Sequence, residues 1–134
     1  MQYRQLGKSP LQVSALCLGT MMFGDQTGET EAAAIVAHAR EQGVNYIDTA
    51  DVYTQGASEA MLGRLLKGQR QDWVLATKLG NKMGDLPNRA GYSRAWMLRE
   101  VEASLERLQT DHVDILYLHR DYEGMDLEEP LHAI

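Results

Sequence analysis

Two rhythms of apolar residues alternate along this chain. Short continuous runs at Ala15–Leu18, Val44–Asp48, Trp73–Thr77 and Asp114–Leu118 are bounded by Gly-containing or polar stretches. Runs of this length and character suit strands buried on both faces, as in a parallel sheet. Between them apolar residues recur at helical spacing. The first set is Ala32, Ile35, Val36 and Ala39, and the second is Met61, Leu62, Leu65 and Leu66. The third and clearest is Leu98, Val101, Leu105 and Leu108, which leaves Arg99, Glu100, Glu102, Glu106 and Arg107 mostly on the expected wet face. Thr30, Ser58 and Ser93 are the predicted helix caps, and Gly43 is the predicted stop of the first helix. Asp126 with Glu129 resembles a capping box, and Pro130 fits a first turn. A fourth helix is therefore expected to open there and to be cut short at Ile134. Ahead of all this, residues 1–13 read as a small hairpin, because Gly7-Lys8-Ser9-Pro10 separates two short runs.

Strands alternating with helices predict an α/β domain built on a parallel sheet, spanning residues 1–134 and about four βα units. The loops differ by position. Those after strands are long and carry Gly and polar residues, whereas those before strands are short. Functional groups gather at the carboxyl ends of strands in barrels and open α/β sheets alike. Neither G-x-G-x-x-G nor G-x-x-x-x-G-K-[ST] occurs, so an open sheet with its usual phosphate turn is the weaker reading.

Charge narrows the function. The net charge is −6 with no basic cluster, which argues against a nucleic-acid surface. Cys17 is the single cysteine, so no intrachain disulfide is possible, and an inert core thiol is its expected role. His38, His112 and His132 lack metal-ligand spacing and read as surface residues, so no metal is expected. There is no apolar leader and no run near the roughly 20 apolar residues of a membrane helix, so a soluble cytoplasmic protein is expected.

The chemistry concentrates at three strand ends. Asp48, Lys78 and His119 each close an otherwise apolar run, and Tyr53 follows in the loop after Asp48. Strand alternation places Asp48 with Tyr46, Lys78 with Ala76, and His119 with Tyr117 on one face. Taken singly, each has an ordinary role. Asp48 would cap a turn, Lys78 would snorkel to water, His119 would bond within a core, and Tyr53 would pack. Together they are costly to bury unless they pair. A charged Lys78 held by Asp48 would stabilise the phenolate of Tyr53, making it a usable general acid, while His119 would orient a carbonyl oxygen. Trp73 and Trp96 are expected to pack helices onto the sheet. Tyr92, Arg94, Arg120 and Tyr122 are candidates for the pocket mouth.

The stretches Arg4–Ser9, Leu18–Met21, Gly43–Tyr53, Gly56–Glu59, Ala76–Lys78 and Val113–His119 resemble the aldo-keto reductase family over essentially the whole chain. They are closest in style to the bacterial branch that also resembles potassium-channel β subunits. The resemblance implies a (β/α)8 TIM-type barrel closed at its base by the N-terminal hairpin. It also implies NADPH-dependent reduction of aldehydes and ketones. Carried over, Tyr53 is the proton donor, Lys78 and Asp48 tune it, and His119 orients the carbonyl. Gly19, Thr20 and Met21, with Asp48, stand where the family meets NADP(H). Met22 and Phe23 would line the substrate pocket or simply pack the loop. Arg120 stands where many relatives carry an aromatic residue. A barrel of this type needs roughly 250 residues. The chain alone is therefore expected to bind cofactor weakly, to turn over little, and to self-associate through exposed strand edges in place of the missing half. A cofactor-sensing or channel-associated subunit is the non-enzyme alternative, and a Schiff-base lyase using Lys78 is the other enzyme reading.

Overall fold

The computed structural model describes residues 1–133. Strands β1 (Tyr3–Gln5) and β2 (Gln12–Ser14) form the expected antiparallel hairpin. The remaining strands are β3 (Leu18–Gly19), β4 (Tyr46–Asp48), β5 (Val74–Leu79) and β6 (Ile115–Leu118). They make one parallel sheet in the order β3-β4-β5-β6. Helices α1 (Glu29–Glu41), α2 (Ala57–Leu65) and α3 (Arg94–Leu108) are the crossovers that parallel neighbours require, and α4 (Glu128–Ala133) follows β6. Ile134, the last residue of the expected fourth helix, lies outside the described residues.

Alternation divides the sheet into two faces. Ile47, Leu75, Leu79, Leu116 and Leu118 turn toward the helices. There they meet Val36, Leu62, Leu66, Met97 and Leu108. Full burial of side chains such as Ile47, Leu62, Leu75 and Leu79 contributes about 1.5–3 kcal/mol each. Trp73 and Trp96 are both buried, in keeping with the packing role expected of them. The other face carries Tyr46 and Tyr117, whose hydroxyls meet at 2.7 Å. The hairpin docks at the amino end of β4. Asn45 accepts from the Ser14 amide at 2.7 Å and donates to the Gln12 carbonyl at 3.0 Å. This leaves the carboxyl end, where Asp48 sits, free of the hairpin.

Several local expectations are corrected. The run Ala15–Leu18 is not buried on both faces. β3 is an edge strand paired only with β4, so Leu16 is 63% exposed and Cys17 is exposed rather than in the core. Gly28, not Thr30, caps α1, although Gly43 does take the left-handed conformation after that helix, at φ 80°. Ser58 is not a cap but a buried residue in the first turn of α2, where its hydroxyl serves Thr20 and Thr49. Ser93 does precede α3 but makes no side-chain cap hydrogen bond. Asp126 accepts from the Glu128 amide as a cap should, whereas Glu129 reaches across to the Arg94 amide at the start of α3.

The largest correction concerns α3. Leu98 is exposed, while Glu100 and Ser104 are buried with Trp96, Met97 and Leu108. The helix turns this face to α2 because Arg107 bridges two carboxylates there. It donates to Glu59 and to Glu100, each at 2.7 Å. Glu59 is completely buried and also accepts from the Thr77 hydroxyl. The approach of the helices is close. A Cβ at Gly63 would stand 2.5 Å from the Arg107 carbonyl oxygen, so only glycine fits.

Among the described residues, β3 and β6 each have one unpaired side, and such edges template further pairing. The 134-residue chain expressed by itself is accordingly expected to associate. Light scattering over a concentration series should show mass above the monomer, and a concentration-independent monomer would contradict this.

Candidate active site

Parallel register sets the strand ends side by side. Gly19 is opposite Asp48, Asp48 opposite Ala76, and Lys78 opposite Tyr117. The Lys78 ammonium is the meeting point. It donates to Asp48 Oδ2 at 2.6 Å, to the Thr49 carbonyl at 2.8 Å and to the Tyr53 hydroxyl at 3.0 Å. The Lys78 and Asp48 side chains are only 15% and 24% exposed. Burial alone would lower the lysine pKa. The hydrogen bonds and charges of Asp48 and Tyr53 outweigh it, and the ammonium is held above its ordinary value.

His119 stands edge-on to Tyr53, with ring centroids 5.9 Å apart. Burial pushes its imidazole below the ordinary value, and the Lys78 charge adds to this against the opposing pull of Asp48. The ring is therefore neutral near pH 7. Its Nδ1 is buried without a partner among the described residues. Backbone contacts fix it from both sides. The His119 amide donates to Leu79, and the next residue, Arg120, exchanges hydrogen bonds with the Tyr92 hydroxyl. Tyr92 itself sits against Gly80, where a Cβ would fall 2.2 Å from the ring.

The loop that carries Tyr53 is strained. Thr54 and Gln55 have φ of 49° and 53°, a left-handed pair that costs about 1–2 kcal/mol per residue. Thr54 is anchored to the Phe23 carbonyl at 3.2 Å, and Asp51 donates its amide to the Lys78 carbonyl at 3.0 Å.

The four residues Asp48, Tyr53, Lys78 and His119 are thus brought together. The neighbours expected at the cofactor and pocket divide. Gly19 lies beside Asp48, with nothing within 4 Å of where a Cβ would project, and Met21 and Met22 are exposed. Thr20 is buried, with its hydroxyl committed to Asp48 and Ser58. Phe23 is 3% exposed and belongs to the core, so it packs instead of lining a pocket. The Arg120 guanidinium stacks over Tyr122, which in turn donates to the Gly80 carbonyl. Cys17 is an exposed residue whose thiol is still partly desolvated by its neighbours; this, with Asp48 and against Lys78, pushes it up to about 11, so it stays protonated. The buried hydroxyl cluster of Thr20, Thr49 and Ser58 is a feature that sequence reasoning missed. The run of small polar residues after apolar strands was its only signal.

Removing one partner of a largely buried ion pair leaves the other uncompensated. Asp48→Ala is expected to lower stability in urea unfolding at pH 7, by less than the roughly 3–5 kcal/mol of a fully buried pair because both side chains keep some solvent. A variant as stable as the parent would contradict the pairing.

Comparison with known proteins places the chain in a family. The model of the Aldo/keto reductase family matches residues 15–134. The chain is 40% identical over its full length to a probable voltage-gated potassium channel subunit beta of Arabidopsis thaliana, of which it covers 42%. It is 38% identical to the uncharacterized oxidoreductase YqkF of Bacillus subtilis (strain 168), covering 44% of that protein. It superposes on the holo form of the aldo-keto reductase AKR11C1 from Bacillus halodurans with a TM-score of 0.90 and 43% identity, covering 45% of that chain. The chain therefore spans less than half the length of these relatives, and its sheet and helices form part of their TIM-type barrel. On this match the chain belongs to the aldo/keto reductase family of oxidoreductases.

Proposed function

We propose that the protein containing this chain reduces aldehydes and ketones to alcohols with NADPH. The observation that carries this reading is the Lys78 ammonium, bonded at once to Asp48 and to the Tyr53 hydroxyl. A phenol becomes a useful acid when a fixed cation stabilises the phenolate it leaves behind, and Lys78 is that cation. Asp48 keeps the cation charged in a partly buried site. His119, neutral and fixed at its backbone, offers a donor to the carbonyl oxygen as negative charge develops there. Tyr53 then delivers the proton to that oxygen.

The residues present suit a nicotinamide. Gly19 leaves open surface beside Asp48, and Met21 extends it as an exposed apolar side chain. When bound there, NADPH supplies the hydride to the carbonyl carbon. Gly19, Met21 and Asp48 would hold its ring, and Met22 and Arg120 would border the substrate. Tyr53→Phe removes the transferable proton and leaves the ring in place. In the full-length protein, NADPH consumption with 4-nitrobenzaldehyde should fall about 10²–10⁴-fold. Undiminished turnover would refute Tyr53 as the donor.

A second reading draws on the similarity to channel β subunits. Under it, the same site serves as a nucleotide sensor for a partner protein. Tight NADPH binding with very slow turnover of every carbonyl tried would favour it over the reductase reading.

A further inference from the structure

One buried ionisable group close to the site has no part in the mechanism above. Asp51 lies between Asp48 and Tyr53 and is 0% exposed. Neither of its carboxyl oxygens has a hydrogen-bond partner of ordinary geometry among the described residues. An ionised carboxylate in that position is costly, because only the Val52 amide and the shared Arg107 charge offset the loss of its water.

Its surroundings deepen the problem. The groups that act on it electrostatically are Glu59 on α2, Glu100 and Arg107 on α3, and the Tyr92 hydroxyl from the loop before α3. Arg107 is already shared by Glu59 and Glu100. Three carboxyl groups therefore face one guanidinium. The Lys78 ammonium offers no relief, since its donors go to Asp48, Thr49 and Tyr53. One proton on the cluster halves the excess negative charge, and the unpartnered group is the one that takes it. In agreement, burial pushes the Asp51 carboxyl up to about 7, helped by Glu100 and Glu59 and opposed by the Val52 amide and Arg107.

The position gives this proton a consequence. The Asp51 amide is bonded to the Lys78 carbonyl, and the left-handed pair Thr54 and Gln55 begins three residues later. A cavity of about 580 Å³ lies against the same segment, lined in part by Val52, Gln55, Glu100 and Arg107. The segment has room to move toward water if Asp51 becomes charged.

We propose that Asp51 is a positioning residue carried as a neutral carboxylic acid, and that its protonation keeps residues 49–56, and with them Tyr53, seated against Lys78. Ionisation loosens this segment and withdraws the Tyr53 hydroxyl from the ammonium. The sign follows from linkage. The folded protein binds this proton more tightly than the unfolded chain, so the stability it contributes is present below about pH 4 and is lost as pH rises through about 7.

The activity arm of the test rests on the reductase reading, whereas the protonation and stability arms do not. In the full-length protein, infrared difference spectra should show a protonated carboxyl at pH 6 that is missing in Asp51→Asn. Urea unfolding should show stability declining from pH 5 to pH 8 in the parent and a flatter profile in the variant, whose amide carries no charge. The ratio of parent to variant kcat should fall about tenfold between pH 6 and pH 8, matching the change in protonated fraction, with KM little altered. The absence of the protonated carboxyl band in the parent would overturn the proposal. So would equal pH slopes of stability in the two proteins, or a kcat ratio independent of pH. If neither protein reduces a carbonyl at any pH, the reductase reading fails, and the infrared and unfolding results still decide the state of Asp51.

Discussion

An ammonium has three N–H donors, and at Lys78 all three are used inside the protein. One goes to a carboxylate, one to a backbone carbonyl and one to a phenol. This saturation allows a lysine to sit only 15% exposed at the end of an apolar strand and remain charged. It also dictates the rest of the site. β4 must end in Asp48 one strand away, and the following loop must fold back so that Thr49 and Tyr53 reach the same nitrogen. That return takes the backbone through two left-handed residues, Thr54 and Gln55, before Gly56 and α2. The strain is stored where the chemistry is, and packing elsewhere must sustain it.

β5 links the two sides of the sheet. Lys78 projects to the site, while its neighbour Thr77 projects the opposite way and donates to buried Glu59. Glu59 receives Arg107 from α3, and Arg107 also holds Glu100. A chain of charge-assisted hydrogen bonds thus runs from α3 through α2 to the strand that carries the lysine. The glycines mark where this chain passes. A Cβ at Gly56 would stand 2.7 Å from the Arg107 side chain, and one at Gly63 would strike the end of α3. The same cluster crowds Asp51, so the scaffold's internal charge and the conformation of the Tyr53 loop are physically coupled.

Much of this is legible from residue order, for reasons that can be named. Asp48, Lys78 and His119 stand out because an ionisable residue ending an apolar run is costly unless partnered, and period-two alternation puts them on one face. The hairpin and the parallel order follow from turn residues and strand–helix alternation. What escapes is whatever depends on pairing between distant segments. On α3, Glu100 and Arg107 look like solvent-facing charges, yet they share a face with Met97, Ser104 and Leu108 and are drawn inward by Glu59 from another helix. Leu98 looks like core and is exposed. Phe23 reads equally as pocket wall or loop packing, and only the fold decides, by turning it into the core with residues of α1 and α2. Ser93 and Asp126 do stand at helix starts, whereas Ser58 lies inside α2 with its hydroxyl engaged by Thr20 and Thr49 from the strand ends.

The family match extends over the chain but covers less than half of each relative's length. The chain carries the hydrogen bonds from Lys78 to Asp48, Thr49 and Tyr53, and proton donation by Tyr53 depends on the charge on that nitrogen. Nitrogen-detected NMR titration of the Lys78 ammonium tests it most directly. The ammonium should persist to a pH above the ordinary lysine range and titrate lower once Asp48 is changed to Asn. A Lys78 that loses its proton below that range, or that does not respond to the Asp48 substitution, would contradict the central claim.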